Sequence, residues 1–182
     1  MSNLKVTKTQ ISGFFLIDLD LIEDDRGYFK ENYQREKLEA LGLPHFEICQ
    51  NNVSFNKDIG ATRGLHAEPW EKYVSLTTGR AFCAWVDLRK GPGFGRTFTF
   101  TLTPDKAVFV PRGVANGYQA LEKDTVYNYL VNDFWSPDKK YQAINLFDPD
   151  LDIKWPIIKD KSLLSDKDLI NPMLSEITPM EF

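Results

Sequence analysis

The sequence is poor in cysteine and histidine, with two of each among its 182 residues. Cys49 and Cys83 do not make a disulfide framework, and the two histidines, His45 and His66, exclude any three-histidine metal site. No run approaches the ~18 apolar residues of a membrane-spanning helix, and the amino terminus lacks the apolar region of a signal peptide. We therefore predict a cytoplasmic protein with reduced thiols and no metal site.

An excess of basic charge is also missing. Lys and Arg number 22 against 26 Asp and Glu, which gives a net charge of −4 and argues against a general nucleic-acid binder. The length and the 42% of hydrophobic residues predict one domain with a real core. We assign the whole chain, 1–182, to this domain, with its core at about 11–156 and a carboxyl-terminal extension at 157–182.

Strand patterns dominate the middle of the chain. Residues 97–103 alternate strictly between Thr and apolar residues, and residues 81–88 are apolar on both faces. One helix is predicted at 31–41, ended by Gly42 and Pro44. Short strands separated by Gly, Pro and Asp indicate an all-β antiparallel sandwich or barrel. Further strands are predicted at 11–21, 73–77, 107–110 and 125–131.

Several side chains that carry chemistry are grouped. Arg63, His66, Glu68 and Trp70 fall within one short segment, as at the rim of a binding site, although a lone histidine is also common in cores and on surfaces. Strand alternation places Tyr127 and Tyr129 on one face, where their hydroxyl groups need polar partners. The segment at 148–150, Asp-Pro-Asp, is by itself a turn signature. These patterns alone do not specify a reaction.

The motifs taken together, from Phe14 to about Pro156, resemble the dTDP-4-dehydrorhamnose 3,5-epimerase family, and most closely a Gram-positive branch of it. They occur in the order found in the family. They are Asp25-Arg26-Gly27-Tyr28-Phe29-Lys30-Glu31, Gln50-Asn51-Asn52-Val53-Ser54, Arg63-Gly64-Leu65-His66, Lys72-Tyr73-Val74, Val86-Asp87-Leu88-Arg89, Val110-Pro111-Arg112-Gly113, and Asp148-Pro149 through Trp155-Pro156.

This resemblance implies a cupin-type double-stranded β-helix, or jelly roll, with short peripheral helices, and a dimeric isomerase without metal or cofactor. It implies inversion of C3 and C5 of a dTDP-linked 4-keto-6-deoxy sugar, because the ketone makes the neighbouring protons acidic. By the resemblance, His66 is the base, Asp148 holds its imidazole, Tyr129 is the acid on the opposite face, and Lys72 stabilises the enolate.

The resemblance also implies the substrate-binding residues. Guanidinium groups suit the pyrophosphate, which assigns it to Arg63 and Arg26. Part of the nucleotide site comes from a neighbouring subunit, and the residues expected to act across the dimer are Arg26, Phe29 and Glu31. The remaining pocket wall is expected at Gln50, Asn52, Asn116 and Trp135.

The sequence departs from the family pattern in the shortened loop at 67–71 and at three positions, Cys83, Asn116 and Trp135. These departures bear on substrate detail. Two alternative enzymes therefore stay open, a C3-only epimerase and a ketoisomerase acting on a related nucleotide sugar. A non-catalytic sugar-binding jelly roll is the alternative outside enzymes, and it predicts that His66, Lys72, Tyr129 and Asp148 are dispersed.

Overall fold

The chain folds into antiparallel strands with a few short helical segments, as seen in a computed structural model that describes residues 3–136, 138 and 141–182. The helices are α1 (Arg35–Ala40) and α2 (Asp166–Leu169), and 3₁₀ turns lie at Pro149–Leu151, Lys159–Lys161 and Leu174–Glu176. The strands are β1 (Lys5–Lys8), β2 (Phe15–Asp18), β3 (Ile22–Asp24), β4 (Gly27–Phe29), β5 (Gln50–Asn56), β6 (Thr62–Ala67), β7 (Lys72–Thr78), β8 (Ala81–Asp87), β9 (Thr97–Leu102), β10 (Lys106–Val110), β11 (Val114–Ala120), β12 (Thr125–Val131) and β13 (Gln142–Ala143).

Two sheets face each other. The first has six strands in the order β1-β2-β10-β7-β12-β5, and the second has five in the order β13-β6-β11-β8-β9. Neighbouring strands in both sheets are antiparallel. A separate hairpin, β3–β4, stands apart from the sheets. The predicted all-β jelly roll with short peripheral helices is confirmed.

The apolar faces of β8 explain the layering. Cys83 and Trp85 lie in the core between the two sheets, with residues of β7, β10 and β12. Their neighbours Ala84 and Val86 point the other way, into a second apolar layer. A strand buried on both faces loses the alternation of polar residues, which is the pattern seen in its sequence.

Peripheral segments cover the outer face of each sheet. Leu38 of α1 and Phe46 pack on the outside of the six-stranded sheet, against Phe109 of β10. The segment after Trp155 covers the five-stranded sheet, where Leu174 packs on the second apolar layer. The sequence-predicted extension at 157–182 is therefore part of the domain's packing.

Element boundaries differ modestly from those predicted. The strand expected at 11–21 is shorter, because Thr9 and Phe14 form a turn before β2 begins. The helix expected at 31–41 begins only at Arg35, where the Gln34 side chain caps the Lys37 amide. Gly42 follows its end with φ +96°, a conformation that favours glycine. Within the described ranges, no helix is long and apolar enough to cross a membrane.

Candidate active site

A cavity of about 650 Å³ opens between the two sheets. This volume lies in the usual range for small-molecule sites. The five-stranded sheet contributes His66 to its wall, and the facing sheet contributes Lys72 and Tyr129. The carboxyl-terminal segment closes one side with Ser165 and Asp168. Three of the four predicted catalytic residues therefore line one cavity, whereas the dispersed arrangement would suit a non-catalytic module.

Close contact between β6 and β11 positions the histidine. Gly64 has φ +119°, and a Cβ atom there would lie 2.5 Å from the Cα atom of Gly117. Only glycine allows this approach of the two backbones. Two residues further along β6, His66 lies opposite Asn116 of β11. In the Arg-Gly-Leu-His segment, the glycine is thus needed for the close approach of two backbones, and the histidine supplies the chemistry.

Asp168 is the carboxylate that holds His66. The His66 Nε2 atom lies 2.9 Å from Asp168 Oδ1, and the aspartate side chain is 7% exposed. Burial disfavours the charge on Asp168, but the hydrogen bond and electrostatic attraction of His66, with hydrogen bonds from Ser165 and the Gly64 backbone, lower the pKa of Asp168 below the usual value. An ionised carboxylate only accepts hydrogen bonds, so Nε2 carries the proton and Nδ1 has the free lone pair.

The prediction that Asp148 holds the imidazole is wrong. The Asp148 carboxylate is buried, and it accepts hydrogen bonds from the backbone amides of Asp150, at 2.9 Å, and of Leu174. It caps the 3₁₀ turn at Pro149–Leu151 and ties the carboxyl-terminal segment to the domain. Capping a turn and holding an imidazole both need a carboxylate that accepts hydrogen bonds, so the residue type alone fits either role.

The sequence gives only a weak signal for Asp168. It follows Ser165 by three residues, and its amide donates to the Ser165 Oγ atom at 3.2 Å, which is the pattern of a helix start. It reaches the cavity because Leu163 hydrogen-bonds beside β6, where the Thr62 amide donates to the Leu163 carbonyl at 2.9 Å. A contact spanning 102 residues of chain cannot be derived from local spacing.

The two aspartates predict a clean separation of effects. Asp168→Asn is expected to lower kcat by about 10²-fold or more, because an amide neither enforces the Nε2–H tautomer nor stabilises an imidazolium. Asp148→Asn serves as the matched control, since it should cost only about 1 kcal/mol of stability through weakened capping, with kcat close to that of the unaltered protein. Steady-state kinetics and thermal unfolding measure both. Equal loss of kcat in the two variants would contradict the assignment.

Lys72 lies on the facing sheet in a defined hydrogen-bond network. Its Nζ atom donates to the carboxylate of Glu68 and to Asn116 Oδ1, and its side chain is 5% exposed. The Asn116 amide donates in turn to the Tyr127 hydroxyl at 3.2 Å. The sequence predicted Lys72 and Asn116 at this site, placed Glu68 at the rim of a binding site and Tyr127 beside Tyr129, and assigned neither of the last two a catalytic or binding role.

Tyr129 lies on the same face of the six-stranded sheet as Lys72, whose Nζ atom is 5.9 Å from the centre of the tyrosine ring. Burial, reinforced by the negative charge of Glu68, raises the Tyr129 pKa to about 12. The phenol therefore stays protonated at neutral pH and has a proton to donate.

Some of the predicted binding residues lie outside the main cavity. Arg26 is in the turn of the β3–β4 hairpin and pairs with Asp24, while Phe29 and Glu31 line a separate cavity of about 390 Å³. Arg63, Asn116 and Trp135 line the main cavity as predicted. Gln50 and Asn52 are on β5, outside that lining, and Gln50 accepts a hydrogen bond from the Trp135 amide at 3.2 Å.

The described residues contain no group of three His, Cys, Asp or Glu side chains able to hold a metal ion. The cationic groups of the cavity wall are Arg63, Lys72 and Lys167. Arg63 and Lys167 are exposed, as is required of groups that meet an anionic ligand at the mouth of a cavity. Lys72 is buried deeper.

Comparison with known proteins decides the family. The model of the dTDP-4-dehydrorhamnose 3,5-epimerase family matches residues 8–176. The chain belongs to this family. The RmlC homolog of Streptococcus pyogenes serotype M6 is 44% identical over 94% of this chain and 90% of its own. RmlC from Streptococcus suis, solved in complex with dTDP-D-xylose, superposes with a TM-score of 0.93 at 42% identity, over 98% of this chain and 95% of that one.

An enzyme described as more restricted is also among the similar solved structures. ChmJ, a 3'-monoepimerase from Streptomyces bikiniensis solved in complex with dTDP, matches with a TM-score of 0.83 at 28% identity, over 92% of this chain and 86% of that one. The predicted resemblance to the epimerase family, including its Gram-positive branch, is thus confirmed, and with it the prediction of an isomerase.

Proposed function

We propose that this protein converts dTDP-4-dehydro-6-deoxy-D-glucose to dTDP-4-dehydro-L-rhamnose by inverting C3 and C5, as a step in dTDP-L-rhamnose biosynthesis. The observation that carries the proposal is the placement of the His66–Asp168 pair and of Tyr129 on opposite walls of one cavity. Inversion needs a base on one face of the sugar and a proton donor on the other. The two cysteines of this protein are free thiols, as is usual in the reducing cytoplasm, and we place the enzyme there.

His66 removes the proton. Its Nδ1 lone pair takes the hydrogen from the carbon next to the ketone, and the C–H electron pair moves into the new C=C bond while the C=O pair moves onto oxygen. The imidazolium that forms is stabilised by the Asp168 carboxylate. No electron leaves the substrate, so the step needs no redox partner.

Lys72 stabilises the enolate oxygen. Among the described residues, Glu68 and Asn116 hold two of its N–H groups, and we infer that the third binds the substrate. A fixed ammonium group in a buried position interacts strongly with charge that develops in the transition state. Tyr129 then returns a proton to carbon from the facing sheet, and solvent exchange restores both groups to their starting protonation states.

The nucleotide is held at the cavity mouth by Arg63 and Lys167 and against the exposed ring of Trp135. We propose that a second subunit completes this site. The hairpin residues Ile22 and Phe29 are 64% and 63% exposed, and exposed apolar side chains on a hairpin outside the two sheets mark a contact surface. In a homodimer, this hairpin and Glu31, which follows it, supply Arg26, Phe29 and Glu31 to the neighbouring cavity.

The shared site predicts complementation. Arg26→Ala and His66→Ala proteins should each be nearly inactive, and their mixture after subunit exchange should recover about a quarter of the unaltered activity. Half of a fully exchanged equimolar mixture is hybrid dimer, and one of the two sites in each hybrid carries neither substitution. Activity assays combined with native mass spectrometry measure recovery and exchange together.

Mixing His66→Ala with Tyr129→Phe is the matched control. Both residues line the same cavity of one chain, from its opposite walls, so every site in every hybrid carries a defect and no activity should return. If confirmed Arg26–His66 hybrids also stay inactive, the shared-site proposal fails.

The resemblance to a 3'-monoepimerase keeps C3-only inversion as a second candidate. Turnover in deuterium oxide separates the two. A 3,5-epimerase incorporates two carbon-bound deuterium atoms into its product, and a C3-only enzyme incorporates one, which mass spectrometry distinguishes. Binding of the substrate without any incorporation would refute both and favour a sugar-binding module.

A further inference from the structure

Glu68 is a carboxylate inside the cavity that takes no part in the proposed proton transfers. It lines the cavity wall, and its side chain is 11% exposed. A charged group at this depth must be paired, because burial without a partner carries a large desolvation cost. Its partner is the Lys72 ammonium group, itself 5% exposed.

The network around this pair fixes the direction of the lysine. An ammonium group only donates, so the Asn116 atom facing Lys72 must be the carbonyl oxygen. The Asn116 nitrogen then faces the Tyr127 hydroxyl, in agreement with the 3.2 Å contact. Lys72 is thus held from two directions, and among its described contacts one N–H is left for a ligand.

Asp168 is the other carboxylate of the cavity lining, Asp87 and Asp148 are buried outside that lining, and all three have other partners. Asp168 binds His66, Asp148 accepts from backbone amides, and Asp87 forms a two-pronged ion pair with Arg89. On β8, the strand that pairs with β11, position 83 is a cysteine, and its uncharged thiol does not balance the charge of Lys72. Glu68 is therefore the carboxylate that balances the buried charge of Lys72.

We propose that Glu68 is a positioning residue that holds the Lys72 ammonium group against the enolate oxygen, while taking no proton from the substrate itself. This inference rests on the proposed epimerase function. The proposal gives the short loop before Lys72, which contains Glu68-Pro69-Trp70, a part in catalysis. This loop places Glu68 four residues before the lysine that it binds.

The proposal predicts a selective loss of turnover in Glu68→Gln. The amide keeps the size of the side chain but removes its charge, so Lys72 is held less firmly and kcat should fall by about 10- to 100-fold. The dissociation constant for dTDP should change less than about twofold, since the nucleotide does not contact Glu68 in the proposed binding mode. Glu71→Gln is the matched control, because Glu71 is three residues away and binds Asn132 outside the cavity wall.

A double-mutant cycle tests whether Glu68 acts through Lys72. In a Lys72→Met background, Glu68→Gln should change kcat by less than about twofold, because the group that it positions is gone. Multiplicative losses in the double variant would overturn the proposal, as would a Glu68→Gln enzyme with unaltered kcat. A structural defect would instead lower dTDP affinity and thermal stability along with kcat.

Glu68→Asp keeps the negative charge and covers the case in which Glu68→Gln does not fold. It should remain folded, bind dTDP normally and turn over faster than Glu68→Gln or, where that variant cannot be prepared, faster than Lys72→Met. An aspartate variant no more active than Lys72→Met would contradict the inference. Failure of the unaltered protein to epimerise the substrate would instead refute the proposed function, so the two failures are distinguishable.

Discussion

Replacing His66 by Asn is expected to lower kcat by about 10²- to 10⁴-fold, the usual contribution of a well-placed general base. The shorter asparagine side chain fits within the space of the imidazole, but it has no lone pair basic enough to remove a proton from carbon. The dissociation constant for dTDP, measured by calorimetry, should stay nearly unchanged because the base lies at the sugar end of the proposed site.

The second histidine provides the control for this substitution. His45 is exposed and lies beside Glu39 and Glu47, away from the cavity. His45→Asn should therefore retain full turnover. A His66→Asn enzyme that keeps half of the unaltered turnover would remove His66 from the mechanism.

Replacing Tyr129 by Phe should uncouple proton exchange from inversion. The base, its aspartate and Lys72 remain, so the enolate still forms and substrate protons still exchange with deuterium oxide. Without the phenol, the proton returns from the face that it left, or slowly from water, and formation of inverted product should fall by about 10²-fold or more. Proton NMR follows both processes, since exchange erases a signal and inversion changes the couplings.

The ring is retained in Tyr129→Phe, so the fold should survive. Tyr33→Phe is a suitable control, because the Tyr33 hydroxyl contacts the Phe46 carbonyl outside the cavity. If Tyr129→Phe inverts both centres at the unaltered rate, the acid must be another group. Tyr127 would be the next candidate, since its hydroxyl lies in the Asn116 network.

Strands were the most predictable part of this fold, for a physical reason. The alternation of Thr and Phe in β9 directly encodes a sheet with one apolar face, and the two-sided apolar β8 encodes a layer between others. Sequence order could not reveal which strands pair. That information lies in contacts between distant segments, such as β2 with β10.

The candidate site shows the same contrast between features that local sequence predicts and features that depend on distant segments. Arg63 and His66 are close in sequence and on one strand, so local spacing placed them correctly on the cavity wall. The partner of His66 is a different matter, because Asp148 caps a 3₁₀ turn and Asp168 lies in the first turn of α2, so both are acidic residues at ordinary helix starts. Only the path of the carboxyl-terminal segment past β6 decides which of them reaches the imidazole.

The residues that we propose to act across a dimer were beyond local reasoning for another reason. The resemblance grouped Arg26, Phe29 and Glu31 with the substrate, yet within one chain they lie away from the cavity that holds His66. A residue that acts on a neighbouring subunit leaves no trace in the contacts of its own chain. The hybrid-dimer experiment therefore tests directly whether these residues act on the neighbouring cavity.

The central claim is that a base and an acid on opposite walls of one cavity invert both carbons that flank a ketone. Proton NMR of dTDP-4-dehydro-6-deoxy-D-glucose with chelator-treated protein in deuterium oxide tests it most directly. We predict loss of the C3 and C5 proton signals together with the appearance of the L-rhamno product. Bound substrate that keeps both protons and its original configuration would contradict the account.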